Sequence, residues 1–356
     1  MTADVIVIGA GAAGAAAASV LAPHLRVTLL DRATTPGWRI GETLPGAARR
    51  VLAALGAWQR FTAAGHAPAP LKVSRWGSDQ AEELDSMRDP DGAGWRLDRA
   101  RFEADLRVNA QERGACLLAP AEAMGVARSG ADWLVKLSNG SQLKTRVLIA
   151  TGGRHSRLMK PFGQRTRVMD RLACTYQRLP APGANDSSTY TEAVVDGWWY
   201  TALLPDGHRL VAFHGDSDGQ AVRRVFREGP ARAARSVPGM AAVLQDARIA
   251  EATPAAFCAA NSVAQSAAGA RWFGAGDNTL ALDPLSSQGL FNALVTGLQA
   301  GQAALRLLDG DEAAAADHAT RLAAVWRAYV GHHALYYGME RRWPDAPFWR
   351  RRRANA

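Results

Sequence analysis

The chain has 356 residues, 48% of them hydrophobic, with 42 Lys+Arg against 33 Asp+Glu and a net charge of +9. That length allows two compact domains, or one nucleotide domain carrying an inserted second one. No apolar run reaches membrane-spanning length, residues 2–14 lack a signal-peptide pattern, and Cys116, Cys174 and Cys258 are too scattered for a disulfide framework or a zinc site, so a reducing cytoplasm with no membrane contact is expected.

The run Val5-Ile6-Val7-Ile8 predicts a buried strand that meets Gly9, Gly11 and Gly14 in G-x-G-x-x-G spacing, with an Ala-rich helix over Ala15–Leu21. Such a turn lets backbone approach a pyrophosphate and points free helix N–H groups at it. A second strand, Arg26–Leu30, ends at Asp31, where a carboxylate accepts from ribose hydroxyls, with Arg32 beside it. Arg39 and Glu42 then stand in a glycine-punctuated loop, 37–46, ahead of a helical pattern over Ala47–Phe61.

Leu71, Val73 and Arg75-Trp76 predict a strand of a different sheet. Asp98 is a plausible N-cap for a helix whose apolar stripe is Phe102, Leu106 and Ala110. Arg99 and Arg101 in its first turn oppose the helix dipole unless they face an anion. A meander is expected over Met124–Arg128, Trp133–Ser138 and Leu143–Thr151, turning at Asn139-Gly140, and its last strand runs into Gly152-Gly153.

Residues 165–265 change character: Tyr190–Val195, Trp198–Leu204 and Arg209–His214 predict antiparallel strands with a turn at Pro205-Asp206-Gly207. The pattern between 220 and 248 is helical and basic. A strand at Arg271–Gly274 leads to Gly276-Asp277, and Asp283-Pro284 and Gly289 introduce a long helix. Ala-rich helix fills 300–340, with a break near Asp309-Gly310. The basic cluster Arg350–Arg353 has no nucleic-acid motif beside it. Its aromatic neighbours Trp343, Phe348 and Trp349 suggest docking on the protein's own body, with no nucleic-acid partner.

Four separated pieces, G-A-G-A-A-G at 9–14, R-I-G-E-T at 39–43, A-T-G-G-R-H-S at 150–156 and G-D…D-P…Q-G at 276–289, resemble the FAD segments of single-component flavin hydroxylases of the p-hydroxybenzoate-hydroxylase type, geranylgeranyl-type reductases and flavin-dependent halogenases. The resemblance implies an α/β fold: a Rossmann-type FAD-binding domain of the glutathione-reductase kind, an inserted antiparallel-sheet substrate domain and C-terminal helices. The FAD-binding domain is expected at 1–65, 96–164 and 266–310, the substrate domain at 66–95 and 165–265, and a helical segment with a basic tail at 311–356. It also implies that Gly9, Gly11 and Gly14 cradle the pyrophosphate and that Asp31 and Arg32 lie at the adenosine ribose. Arg39, Glu42, Arg99 and Gly152 would then lie along the cofactor, Gly276 and Asp277 at the ribityl chain, and Pro284 through Gly289 beside the isoalloxazine. The usual A-D-G-x-x-S is replaced by A-T-G-G-R-x-S, which leaves the role of Arg154 open.

More narrowly, G-W-R-I-G-E-T-L-P, S-R-W-G-S, G-W-W-Y-T-A-L-L-P and the ending R-R-W-P-D-A-P-F-W-R-R-R resemble the halogenase-like flavoproteins that mature quinoprotein amino-acid oxidases and amine dehydrogenases. Members hydroxylate a tryptophan of a partner precursor on the way to cysteine tryptophylquinone. The resemblance implies a monooxygenase that uses FAD and O2 through a C4a-hydroperoxyflavin. Its electrons come from transient NAD(P)H or a flavin reductase, because a second G-x-G-x-x-G unit is absent from the sequence.

Halogenases of this type carry W-x-W-x-I-P and an active-site lysine. Aligned on Pro205, this chain has Tyr200 and Ala202 instead of the two tryptophans, while Lys72 falls near the lysine position. A small-molecule tailoring hydroxylase, a FAD-binding maturation chaperone without turnover and a C–C double-bond reductase remain as further readings. The candidate substrate-side residues are Lys72, Trp76, Tyr200 and His214, with Trp198, Trp199 and His66 as weaker ones, and no metal ligands are expected. The substrate is either a protein tryptophan or a small aromatic.

Overall fold

The computed structural model describes residues 2–245 and 253–354, so 246–248 of the basic helical stretch lie outside the described residues. The β-branched strand Thr2–Ile8 forms the centre of a parallel sheet. Its neighbours are Gln142–Ala150 on one side and Val27–Leu30 on the other, followed outward by Trp272–Gly274 and Cys116–Leu118. Val5, Ile6 and Val7 are fully buried because strands covered on both faces need apolar side chains on both. The expected meander is present as Ala123–Ser129, Asp132–Leu137 and Gln142–Ala150.

Helix Ala12–Leu21 lies against helix Gly289–Leu308. A Cβ on Gly297 would come within 2.1 Å of Ala13 O, so the approach depends on small residues. The expected helix over 47–61 is two helices, Ala48–Ala54 and Trp58–Ala63. Gly56, at φ +71°, takes the left-handed conformation that closes the first of them. Helix Arg99–Glu112 starts as expected, with Asp98 Oδ1 accepting from the Arg101 N–H at 3.0 Å and Phe102, Leu106 and Ala110 buried.

The second sheet has the order Ala255–Cys258, Leu172–Pro180, His208–Asp216, Gly197–Leu203, Ser188–Val194, Leu71–Arg75, Glu82–Asp85. It is antiparallel except where Leu71–Arg75 joins Ser188–Val194. Gly207, at φ +74°, closes the predicted turn by donating to Leu204 O at 3.1 Å. Period-two alternation sorts the aromatic residues. Trp199 and Phe213 pack under the short helices Gln220–Glu228, Pro230–Ala234 and Pro238–Val243, away from the expected substrate face. Trp198, Tyr200 and Tyr176 take the opposite face.

The C-terminal helices Ala314–Met339 and Pro347–Ala354 close that face from behind. The rings of Trp76, Tyr337 and Trp349 meet at 5.3–5.9 Å, and Trp349 Nε1 donates to Val194 O at 3.0 Å. The basic end is folded onto the body: Arg352, almost fully buried, donates to Asp216 at 3.0 Å, and Arg351 pairs with Asp216 and Asp218. The result is a mixed α/β fold with a parallel nucleotide-type sheet, an antiparallel sheet and C-terminal helices. Among the described residues no helix is long and apolar enough to cross a membrane, and all three cysteines are free.

Candidate functional site

A cavity of about 500 Å³ opens where the carboxyl ends of the parallel strands face the antiparallel sheet. This is where open parallel sheets bind ligands. Its nucleotide side is built by the glycine turn. A Cβ on Gly14 would lie 1.8 Å from Gly9 O, and one on Gly9, at φ +105°, would lie 2.6 Å from Thr151 O. These two glycines are required by packing. A Cβ on Gly11 would meet nothing within 4 Å, and Gly11 lines the cavity at the N-cap of helix Ala12–Leu21. This empty cradle before free helix N–H groups fits an anionic pyrophosphate. Gly276, Asp277, Pro284 and Gly289 line the same cavity, and Gly289 also leaves open space where a Cβ would go.

Asp31 and Arg32 stand at the end of the second strand, outside the cavity lining. Asp31 Oδ2 accepts from the Ala10 N–H at 2.8 Å and pairs with Arg107 at 3.0 Å, whereas Arg32 is exposed. Gly152 also lies beyond the lining, tucked against Ser156 Oγ. Arg39, Glu42 and Arg99 converge. Arg99 Nη1 donates to Ile40 O at 3.1 Å and to Gly41 O, and its Nη2 donates to Glu103 Oε1 at 2.6 Å. Arg39 pairs with the other Glu103 oxygen at 3.3 Å. Arg101 turns away to Asp105. Arg154, whose role the motif left open, donates to Ala260 O at 2.6 Å and pairs with Asp277 at 3.4 Å. Through a further bond to Cys258 O at 3.2 Å it ties Asp277 to the antiparallel sheet.

On the opposite wall the Tyr200 hydroxyl donates to Glu42 Oε1, and Glu42 Oε2 accepts from the Gly41 N–H at 3.0 Å. Burial, then the Glu42 charge, pushes the Tyr200 hydroxyl well above its ordinary pKa, so it remains a donor. His214 lies flat on Trp198 and is buried, which lowers its pKa to about 3 and keeps the ring neutral. Of the described lining residues, His214 Nδ1 and Arg99 Nε are buried with no hydrogen-bond partner, and Glu103 Oε2 has only its ion pair with Arg39. Trp38, Tyr176 and Phe257 complete an aromatic wall.

Two sequence candidates stand apart. Lys72 is exposed on its strand and does not line the cavity. Trp76 lies one layer behind, its Nε1 donating to Tyr336 O at 2.8 Å. His66 is remote, wedged by Phe61 and Phe102. Sequence reasoning missed Arg107, which donates to Ala10 O at 2.9 Å and clamps Asp31 to the glycine turn. Its signal was the four-residue spacing Arg99, Glu103, Arg107 on one helix face. Trp38, Tyr176, Phe257 and Asp283 also escaped the residue assignment, and nothing local marks the first three. Asp283, Asp170 and His333 bring one ligand-type atom each within 4.8 Å of one another.

A glycine cradle at a helix N-terminus, opening on an aromatic chamber at the sheet ends, defines a flavin-type nucleotide site. The family model of the FAD binding domain matches residues 2–234, and the chain belongs to that family. It is 29% identical over 99% of its length to LodB of Marinomonas mediterranea, covering 97% of that protein, which is assigned by inference to the FAD-dependent oxidoreductases. Its fold matches the myxobacterial chondrochloren halogenase CndH (TM-score 0.87, 22% identity, 99% of this chain and 86% of that one). It also matches QhpG, a peptidyl tryptophan dihydroxylase essential for tryptophylquinone cofactor biogenesis (TM-score 0.82, 25% identity, 99% and 79%). The protein is a flavoprotein of the FAD-dependent oxidoreductase class with a fold like that of CndH, and FAD is its cofactor.

Proposed function

We propose that the protein is a monooxygenase that hydroxylates an electron-rich aromatic ring, and that the ring is a tryptophan side chain of a partner quinoprotein precursor. The observation that carries this reading is the makeup of the chamber. Its wall is Trp198, Tyr200 and His214, whereas Lys72, the candidate for handling hypohalous acid, is exposed outside it. The likeness to QhpG, a peptidyl tryptophan dihydroxylase, supports a protein substrate.

FAD, when bound, supplies the electron transfer and oxygen activation. Gly11 and the helix start receive its pyrophosphate, and Asp31 with Arg32 serve the adenosine ribose. Arg39, Glu42 and Arg99 would lie along its length, with Gly152 just outside the lining, Gly276 and Asp277 would serve the ribityl chain, and Pro284 to Gly289 would flank the ring system. The chain's own residues hold and orient the substrate. Trp198 and Tyr200 offer aromatic surface for a ring, and the neutral His214 offers an unused hydrogen-bonding atom. Trp76 backs this wall. The pairing of Tyr200 with Glu42 places a carboxylate beside the chamber, which repels a halide anion. The parallel-sheet segments form the FAD domain and the antiparallel segments the substrate domain. NAD(P)H or a flavin reductase is the electron source and the cytoplasm the matching compartment.

The test gives the FAD-loaded protein NAD(P)H with a flavin reductase, O2 and bromide, and offers a tryptophan peptide and free indoles. Expected is oxygen uptake coupled to gain of oxygen by the peptide, unchanged in Lys72→Ala. Brominated product that disappears in Lys72→Ala would establish the halogenase reading, which the fold match to CndH keeps open. Turnover without oxygen would establish a double-bond reductase. Partner folding with no change of mass would establish a chaperone.

A further inference from the structure

Behind the aromatic wall lies a buried polar cluster that the site description leaves without a task. Asp283 lines the cavity but is almost completely buried. Its Oδ1 accepts from the Leu285 N–H at 2.9 Å, and its Oδ2 accepts from the Tyr337 hydroxyl at 2.9 Å and lies 3.3 Å from His333 Nε2. His333 sits on helix Ala314–Met339, its side chain is 16% exposed, and it is not among the residues lining the cavity. On its other flank Asn261 Nδ2 lies 3.4 Å from His333 Nε2 and donates to Asp170 Oδ2 at 3.3 Å. The remaining groups facing this cluster are Tyr329, whose hydroxyl accepts from the Asp283 N–H at 3.0 Å, and Arg352, 3.9 Å from Asp170.

We propose that Asp283 and His333 form a proton relay joining the cavity to solvent. The inference rests on the FAD-dependent oxidoreductase class and not on the hydroxylase reading, because any such enzyme must move protons when its electrons move. The other titratable groups of the described lining are already committed. Glu42 is held by Tyr200 and the Gly41 N–H, Glu103 lies between Arg39 and Arg99, Asp277 pairs with Arg154, and His214 is kept neutral. In the relay step the Nε2–H bond of a protonated His333 breaks and an Asp283 Oδ2–H bond forms, leaving a neutral imidazole. The imidazole regains its proton from hydronium in the solvent, with nothing oxidised or reduced.

Burial raises Asp283, but the hydrogen bond and charge of His333, the Leu285 N–H and the Arg352 charge outweigh it and hold the carboxyl below its usual range, so the carboxylate is the resting form and its protonated form is short-lived. Asp170 is pushed up, by burial first and then by the Asp283 charge. His333 touches Asp283 directly and Asp170 through Asn261. Tyr337 links the cluster to the chamber a second time, since its hydroxyl also lies 3.2 Å from Trp198 Nε1.

The test uses the FAD-loaded full chain, photoreduced and mixed with O2, so that no organic substrate is needed. His333→Gln is expected to slow reoxidation by about a hundredfold, the lower end for a positioned proton donor. Added imidazole should restore much of the rate, and the pH profile of the wild type should flatten. In FAD-free protein Asp283→Asn should shift the His333 ring resonances, which reads the contact at 3.3 Å without turnover. An unchanged rate and pH profile would overturn the relay. So would a slow rate that imidazole leaves slow while the melting temperature falls, the signature of a structural histidine. If His333→Gln fails to fold, Asp283→Asn decides in its place: reoxidation at the wild-type rate with the wild-type pH profile overturns the proposal. Stoichiometric Zn2+ binding abolished by Asp170→Asn would overturn it as well, by making the three residues a metal site.

Discussion

The imidazole of His214 lies on the indole of Trp198 with centroids 3.6 Å apart and planes 6° from parallel. The stack is buried at the back of the chamber, and its chemistry follows from that burial. A protonated imidazole would lose its hydration there and gain no anion at hydrogen-bond distance, so the ring stays neutral.

The stack predicts an acid-sensitive fold. Removal from water lowers His214 from 6.5 to about 3, so between these values the unfolded chain binds a proton that the folded chain refuses. Stability from this residue is complete above pH 6.5 and is lost as the pH falls towards 3. His66, lowered to about 4 by burial, adds a slope of the same sign. Thermal melts across this range should show His214→Phe losing less stability on acidification than the wild type. Parallel curves would refute the assignment.

The glycine turn predicts a split between two superficially similar variants. Gly14→Ala places a methyl 1.8 Å from Gly9 O and should leave little folded protein. Gly11→Ala meets no atom within 4 Å, so the FAD-free protein should melt as the wild type does. Its methyl occupies the cradle instead, so FAD retention should fall. Equal flavin content in Gly11→Ala and wild type, read from visible absorbance, would contradict the cradle.

Tyr200→Phe removes the hydroxyl that donates to Glu42 Oε1 and leaves a buried carboxylate oxygen short of a donor. The cost should be about 1–3 kcal/mol in urea unfolding. Glu42→Gln in the same background should recover part of it, because the uncompensated charge is removed. A double-mutant cycle with no coupling energy would show that the pair is incidental.

Arg352→Met should cost about 3 kcal/mol, because it strips a buried cation from Asp216 and Asp170. The figure is at the low end because Arg351 still pairs with Asp216 at 2.7 Å. The measurement is a denaturant midpoint at constant m-value. A change within about 0.5 kcal/mol would mark the C-terminal helix as a surface appendage.

Much of the nucleotide half was legible beforehand because its signals are local. Strand Thr2–Ile8, the glycine spacing and the Asp98 cap each lie within a few residues, and each appears where the pattern put it. The single helix expected over 47–61 failed for a local reason too, since Gly56, a helix-stop residue inside an otherwise periodic pattern, takes a left-handed φ there. The chamber was much less legible. Trp199 was expected beside Trp198, but strand alternation turns it to the opposite face.

By itself the sequence determined the order of elements, the glycine cradle and the resemblance to FAD-binding flavoproteins, because these depend on backbone freedom and on short periods of two and 3.6. The tertiary structure alone decided which side chains share the chamber. Glu42 and Tyr200 stand 158 positions apart in the chain, as Asp283 and Tyr337 stand 54 apart, and both pairs form hydrogen bonds. No spacing rule links such residues. They meet because the antiparallel sheet presents alternate side chains to the ends of the parallel strands, and because the C-terminal helices seal the gap. Lys72 illustrates the same rule in reverse: it sits at a suggestive place in the chain, yet its strand leaves it exposed outside the chamber.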